Sequence, residues 1–410
     1  MLVILFEDAL VRQLYPITIG RAAFEISCGS YRLIELVERL GLPIRAAVRP
    51  HLRGVEDAQR GTGSGDSDDG PILLVNARLA PSVHVLRHLE DLVGSACPSI
   101  IRSASGVAAA LLSPDSPRPP RDAFGEQWNQ FFADLPLGAE TIDLPLFEYP
   151  HDLIRHHIDI LQANLEDRLR TGDYDEVQPG VFVKPGAKLG QYFVCETDEG
   201  PIVLEENVRI GPYCYLSGPV HLAAGARVIE HAAIKDSVAL GHTTKVGGEV
   251  ERSIVEPYTN KQHHGFLGHS YLGSWVNLGA GTSNSDLKNT YGTVAMEYNG
   301  GRVNTNMQFI GCVVGDYAKT AVNTSIFTGK TIGACTMVYG FVTTNVPSFV
   351  NYARSFGQVT EAPVDVMIAT QRRMFARRSV AQRPCDIDLL YAMYDLTRHE
   401  RQLATQPLSL

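Results

Sequence analysis

No lysine precedes Lys184, so any phosphate bound before that point has only arginine to hold it. Positive charge is short overall as well: 36 Lys and Arg against 45 Asp and Glu leave a formal net charge of -9. A nucleic-acid surface needs clustered basic residues to displace counterions from phosphates, so that class of partner is disfavoured. The seven cysteines (Cys28, Cys97, Cys195, Cys214, Cys312, Cys335 and Cys385) form no CxxC pair and show no metal-ligand spacing, which leaves structural thiols as their reading. No apolar run reaches the roughly 20 residues of a membrane span. The opening MLVILFED lacks a basic start and meets Glu7 and Asp8 at once, so it reads as a first buried strand rather than a secretory signal. The cytoplasm is therefore the expected compartment. What is present is ordinary for a globular chain: 410 residues, 44% apolar and 20% charged, with room for two domains.

One pattern organises the rest. From Leu204 an aliphatic residue returns every six positions, through Ile210, Leu216, Leu222, Val228, Ile234 and Leu240 to Val246. Two residues ahead of each stands a small or apolar one: Cys214, Val220, Ala226, Ala232, Val238, Thr244, Val250. Neither an α-helix nor an ordinary strand has that period. It is the hexapeptide rule of a left-handed parallel β-helix, in which three hexads make one triangular coil and coils must stack to bury their ends. The beat returns at Val314, Thr320, Ile326, Ile332, Val338 and Thr344. Between the runs, Lys261 to Gly292 breaks the rhythm, and the chemistry is expected in that interruption.

Ahead of the solenoid, the spacing predicts strands at 2–6 and 71–77 and helices at Tyr31 to Leu40 (Ser30 capping its start, Gly41 ending it), in VHVLRHLEDLV and at 152–170. GVAAALLS fits strand or helix. Alternating strands and helices imply a parallel sheet covered on both faces. GTGSGDSDDG (61–70) follows no strand and opens no helix, so it reads as a solvated linker and not a phosphate loop. The proline-rich PDSPRPPRD (114–122) reads as a surface loop. Near the end, VMIATQRRMFARRSVAQ predicts an amphipathic helix whose polar face carries Arg372, Arg373, Arg377 and Arg378. That face is either solvated or docked on a neighbouring subunit or on cofactor phosphates.

The segment GHSYLGSWVNLGAGTSNSDLKN resembles the acyltransferase site of the bacterial bifunctional enzymes that acetylate glucosamine-1-phosphate and join it to UMP. The stretch GDYAKTAVNTSIFTGKTIGACTMVYGFVTTNVPSF, together with LFED and LYPITIGRAAFEISCG near the start, is similar to the short form of that family. The resemblance implies a reduced Rossmann-like α/β nucleotidyltransferase domain (1–175), a left-handed β-helix acyltransferase domain (176–350) and a C-terminal helical tail (351–410). It also implies a homotrimer with ligands bound between subunits, acetyl-CoA as cosubstrate, and Mg2+ if nucleotidyl transfer is retained.

Moving an acetyl group from a thioester to a sugar amine needs a base for the amine and donors for the oxyanion. The interruption offers His263, His264, His269, Tyr271, Asn277 and Asn284 beside a glycine-rich GAG. By resemblance Tyr271 and Asn277 take sugar-binding positions, and Ala280, with Gly279, lines the coenzyme A arm. In the better-known family members the catalytic histidine stands three residues before the tyrosine, a position filled here by Gly268, whereas His269 stands two before. His269 is the favoured base and His264 its competitor. Lys261 and Lys288 are candidates for the sugar phosphate, and no metal site is expected among these histidines because no cysteine joins them.

The nucleotidyl half is thinner. The usual GxGTxM pattern with its following lysine is absent, and Asn76 and Arg78 stand where the wider superfamily tends to carry a metal-binding aspartate. Arg21 is left as a phosphate clamp and Asp8 as a candidate metal holder. Three functions follow: acetyl transfer coupled to sugar-nucleotide formation, acyl transfer with a first domain that only binds nucleotide sugar, or a non-catalytic scaffold.

Overall fold

The computed structural model describes residues 1–61, 70–298 and 300–402; most of the GTGSGDSDDG segment, 62–69, lies outside the described residues. The first domain is built on a six-stranded sheet: β1 (Leu2–Phe6), β2 (Ile44–Ala47), β3 (Ile72–Asn76), β4 (Ser99–Ser103), β5 (Gly106–Leu112) and β6 (Ala139–Thr141), in spatial order β2-β1-β3-β5-β4-β6. The sheet is mixed and not purely parallel. Strands β1, β2 and β3 run parallel, but β5 lies antiparallel to both β3 and β4. The apolar GVAAALL run resolves as β5, because a two-residue turn at Ala104 and Ser105 folds it back on β4 instead of sending it through a crossover helix. Every residue of β1 and β3 is buried, as their unbroken aliphatic runs require of strands covered on both faces.

The helices are α1 (Leu33–Glu38), α2 (Arg53–Arg60), α3 (Val83–Ser95), α4 (Glu126–Asp134) and α5 (Pro150–Thr171). Ser30 does not cap α1. The start is closed by Glu35, whose carboxylate accepts the Arg32 amide at 2.7 Å, while Ser30 sits in a turn with φ of 72°.

The second domain is a left-handed parallel β-helix. A nine-stranded first face runs from Asp175–Gln178 to Lys330–Ile332; a second carries Arg209–Ile210, Arg227–Val228, Lys245–Val246 and Asn260–Lys261; a third begins with Val194–Glu196. The hexad residues from Leu204 to Val246 all lie in one buried core, as do Val314, Ile326, Ile332 and Val338. Thr344 is exposed: the phase slips after Val338, and Val342 and Val346 turn inward instead.

Most of the expected interruption is regular coil. The corner after Val246 is two residues short and those after Val250 and Leu267 are one residue short, so Val250, Val255, Lys261, Leu267, Leu272 and Leu278 keep the interior while the six-residue beat is lost. Ile254 pairs with Tyr271 and Asn260 with Asn277, so 261–284 is ordinary coil. The real excursion runs from Ser285 to Gly311 and carries a hairpin, Ala295–Tyr298 against Gly301–Asn304.

The two domains share a core. The outward residues of the first face, Ile254, Tyr271 and Val313, are fully buried in one cluster with β1, α1 and α5. Each large side chain so covered contributes about 1.5–3 kcal/mol relative to exposure. Helix α5 runs along this face: Leu161 and Leu165 pack on Val203, and His157 bridges the Gly29 amide (3.0 Å) and the Ser237 carbonyl (2.9 Å). Two C-terminal helices, α6 (Val364–Ala376) and α7 (Pro384–Leu396), close the assembly; Phe375 of α6 packs on Trp275 at 4.6 Å.

Candidate active site

Glu251, His269 and Asp286 recur at about the length of one coil, so they stack at the corner between the third and first faces. One ligand-type atom from each lies within 4.8 Å of the others. His269 follows the strand Phe266–Gly268 with φ of 44°. Its backbone is pinned on both sides, by its amide on the Glu251 carbonyl (3.2 Å) and by the Gly311 amide on its carbonyl (2.9 Å). Imidazole Nδ1 stands 2.8 Å from the Asp286 carboxylate, and the Phe309 ring stacks on the imidazole at 5.2 Å. Nε2 has no hydrogen-bond partner among the described residues, and the side chain is buried, 5% exposed. A carboxylate that holds Nδ1–H leaves Nε2 as the proton acceptor, the arrangement a general base needs. Asp286 and Phe309 sit at the two ends of the Ser285–Gly311 excursion, so that loop shapes the corner.

The other expected site residues separate into groups. Asn284 joins His269: its side chain, turned into the prism, accepts the Gly268 amide at 3.0 Å and donates to the Gly268 carbonyl at 3.1 Å, fixing the strand that ends at the imidazole. His264, Gly279 and Ala280 lie at the next corner, between the second and third faces, where the His264 carbonyl accepts the Gly281 amide at 3.0 Å and the His264 ring is exposed. Asn277 is exposed on the second face, bridging Asn260 and Lys319. Lys288 lies in the excursion and donates to the Thr293 carbonyl. Lys261 fills an interior position and is 2% exposed; its ammonium donates to the carbonyls of Gly247, His263 and Gly265, and burial pulls its pKa down to about 8. No lysine in that position reaches a ligand outside the prism.

Tyr271 and Arg21 meet at an inter-domain node on the other edge of the first face. The Arg21 guanidinium contacts Asp316, Glu256 (3.3 Å) and Ser274 Oγ (2.8 Å), and Tyr271 donates to Glu256 at 3.0 Å. Burial pushes the Asp316 carboxyl up and Arg21 pulls it back, so the pair holds together as counter-ions. The node lines a cleft of about 740 Å3 enclosed by the first domain, the prism and α6–α7. Thus the GRAAF, GHSYLG and GDYAKT segments, far apart in the chain, converge at one place.

At the carboxyl edge of the first domain's sheet, Asp8 is saturated. Its Oδ1 accepts Arg78 Nε (2.7 Å) and the Leu10 amide (3.1 Å), and its Oδ2 accepts Arg78 Nη2 (2.7 Å) and Asn76 Nδ2 (2.9 Å). Beside it, Glu7 and Arg49 form a second buried pair at 2.9 Å.

Residues 3–170 match the family model of the sugar nucleotidyl transferases. The first domain is thus similar to the sugar nucleotidyl transferases. Among curated relatives, the chain is 26% identical over 143 residues to a bifunctional sugar-1-phosphate nucleotidylyltransferase/acetyltransferase of Sulfurisphaera tokodaii, covering 34% of this chain and 36% of that one. It is 35% identical over 124 residues to a bifunctional protein GlmU of Streptococcus pyogenes, covering 29% and 26%. The chain thus spans about a third or less of the length of these relatives. Among solved structures, a UDP-N-acetylglucosamine acyltransferase of Francisella novicida aligns with a TM-score of 0.36 at 14% identity, over 57% of this chain and 79% of that one.

In this nucleotidyl-transferase-like domain a magnesium ion does not fit at Asp8. Both carboxylate oxygens already accept two donors, and the Arg78 guanidinium occupies the position a cation would take. Glu256, Asp316, Asp286, Glu251 and Phe309 were not singled out by sequence. The spacing of Glu251, His269 and Asp286 by one coil was the available signal.

Proposed function

We propose that this chain transfers an acetyl group from acetyl-CoA to the amine of an amino-sugar phosphate, glucosamine-1-phosphate by resemblance, with UDP-N-acetylglucosamine formation as the paired reaction of the first domain. The observation that carries the proposal is the buried His269–Asp286 pair, whose Nδ1 stands on the carboxylate and whose Nε2 makes no hydrogen bond among the described residues. Nε2 takes the proton from the attacking amine as the C–N bond forms. The thioester C–S bond then breaks, and the departing thiolate is protonated. Asp286 holds the tautomer and stabilises the imidazolium. The matches to bifunctional nucleotidylyltransferase/acetyltransferases support the pairing of activities.

A homotrimer completes the site in this reading. Phe341 on the third face, Val322 and Tyr339 at the corner before it and Phe327 at the corner after it are exposed, an apolar strip beside the His264 and His269 corners. The cytoplasm, where these cosubstrates occur, is the proposed compartment. Among the described residues no helix is long and apolar enough to cross a membrane.

The Arg78–Asp8 pair favours a second reading of the first domain, as a module that binds nucleotide sugar without transferring it. One assay separates the readings: thiol release and pyrophosphate release followed together over a panel of sugar phosphates. Both products support the paired activities, thiol alone supports the second reading, and neither product overturns the proposal. His269→Ala should abolish thiol release, and retained turnover would move the base to His264.

A further inference from the structure

On the second face of the prism, Lys188, Arg209, Arg227 and Lys245 stack in register on four successive coils. Coils lie about 4.8 Å apart, so the four cations form a line about 14 Å long. The next rung is Asn260, which pairs with Lys245 and accepts Arg378 Nη2 at 2.8 Å. That bond fixes the residue just beyond α6 over the top of the line and brings Arg377 with it. Among the described residues, no carboxylate lies within ion-pair distance of Lys188, Arg209, Arg227, Lys245, Arg377 or Arg378. Elsewhere in the chain arginines are densely paired, as at Arg21, Arg49, Arg60, Arg78 and Arg168.

An uncompensated row of this kind, in a chain of net charge -9, repels itself unless an anion sits on it. The repulsion is visible in two members: Lys245 is pulled below the ordinary lysine range by burial and by Arg378, Arg227 and Arg377, and Arg378 is lowered by burial, Arg377 and Arg227. The converging end, where α6 meets the prism, has the density to hold two phosphates at once, with guanidinium forks suited to their oxygens.

We propose that Arg227, Lys245, Arg377 and Arg378 form a binding site for a diphosphate-bearing small ligand, a nucleoside diphosphate or the phosphoadenosine end of a coenzyme, with Arg209 and Lys188 drawing it in. The site is separate from the His269 corner and does not depend on the acyl-transfer reading.

Calorimetric titration of the full chain tests it, with inorganic pyrophosphate, UDP, coenzyme A and dephospho-coenzyme A as probes at two salt concentrations. Pyrophosphate should bind saturably, and more weakly at the higher salt. In Arg227→Ala/Lys245→Ala, and separately in Arg377→Ala/Arg378→Ala, its affinity should fall about tenfold or more. Both pairs change exposed or partly exposed side chains, and circular dichroism melts confirm that the variants fold. UDP binding that survives in competition with coenzyme A assigns the site to nucleotides; the reverse, with loss on removing the 3′-phosphate, assigns it to the coenzyme. No saturable pyrophosphate binding, or equal affinity in wild type and both variants, overturns the proposal.

Discussion

Arg21 was a candidate phosphate clamp by sequence and is an inter-domain lock by geometry, and Arg21→Met distinguishes the two. The substitution keeps the apolar stem and removes the charge. Glu256 and Asp316 are then buried with no guanidinium, at side-chain exposures of 1% and 6%. Glu256 still accepts the Ser27 amide, the Ser27 hydroxyl and Tyr271, and Asp316 still accepts the Ser274 amide, so neither is left bare. Removing one partner of a buried pair costs about 3–5 kcal/mol because the other charge stays desolvated. With about 2.1 cal/mol/K of unfolding entropy per residue, a chain of 410 residues that unfolds as one unit loses about 1 °C of midpoint per kcal/mol, so Tm should drop by about 4–6 °C. Differential scanning calorimetry reads the shift, and Arg21→Met/Asp316→Leu should recover part of it by removing a stranded carboxylate. A phosphate clamp predicts the opposite: an unchanged melt with lost nucleotide binding. A midpoint within a degree of wild type would refute the lock.

Asp286→Asn keeps the shape of the His269 corner but removes the carboxylate that sets the tautomer; kcat for acetyl transfer should fall by roughly 10²-fold or more with KM little changed, and an unaltered kcat in steady-state assays removes Asp286 from the mechanism. His157 is held neutral, with burial pulling its pKa to about 4, against about 6.5 unfolded. The unfolded chain therefore binds the extra proton first, and about 3 kcal/mol of stability is lost as pH falls from about 6.5 to 4; urea midpoints across that range should slope less in His157→Gln, and equal slopes exclude His157 as the cause. Lys261→Met removes the donor to the buried Gly247 carbonyl and to the part-buried carbonyls of His263 and Gly265 and should destabilise the prism by about 1–3 kcal/mol, measured by denaturant titration, whereas a phosphate-binding role predicts a raised KM for the sugar phosphate and normal stability.

The solenoid was legible because its interior repeats: a triangular cross-section forces one inward aliphatic residue per side, and from Leu204 to Val246 nothing disturbs the count. Legibility failed where the geometry stayed regular but the count did not. Corners shortened after Val246, Val250 and Leu267 threw the later beat out of phase, so the regular coil at 261–284 reads as part of an interruption whose true insertion, 285–311, overlaps only its end. In the first domain, β1, β3, α3 and α5 were readable from periodicity, while β5 was not, since an apolar run carries no period to separate strand from helix. Site residues fared by the range of their partners. His269 and Asn284 lie on adjacent coils, and the short stretch of sequence between them keeps them together in the fold. Tyr271 and Arg21 were assigned to ligands because their partners, Glu256 and Asp316, come from segments that only the folded chain brings near, and no local pattern in sequence reports an ion pair across 295 residues.

The Ser285–Gly311 excursion also ties the two halves together. Its hairpin delivers Tyr298 against both Tyr149 and His151 at the start of α5, with the Tyr298 hydroxyl 3.0 Å from His151 Nδ1. The same excursion ends on the imidazole at its other extremities. One continuous stretch of chain therefore joins the opening turn of α5, through Tyr298, to the His269 imidazole, through Asp286 and Phe309.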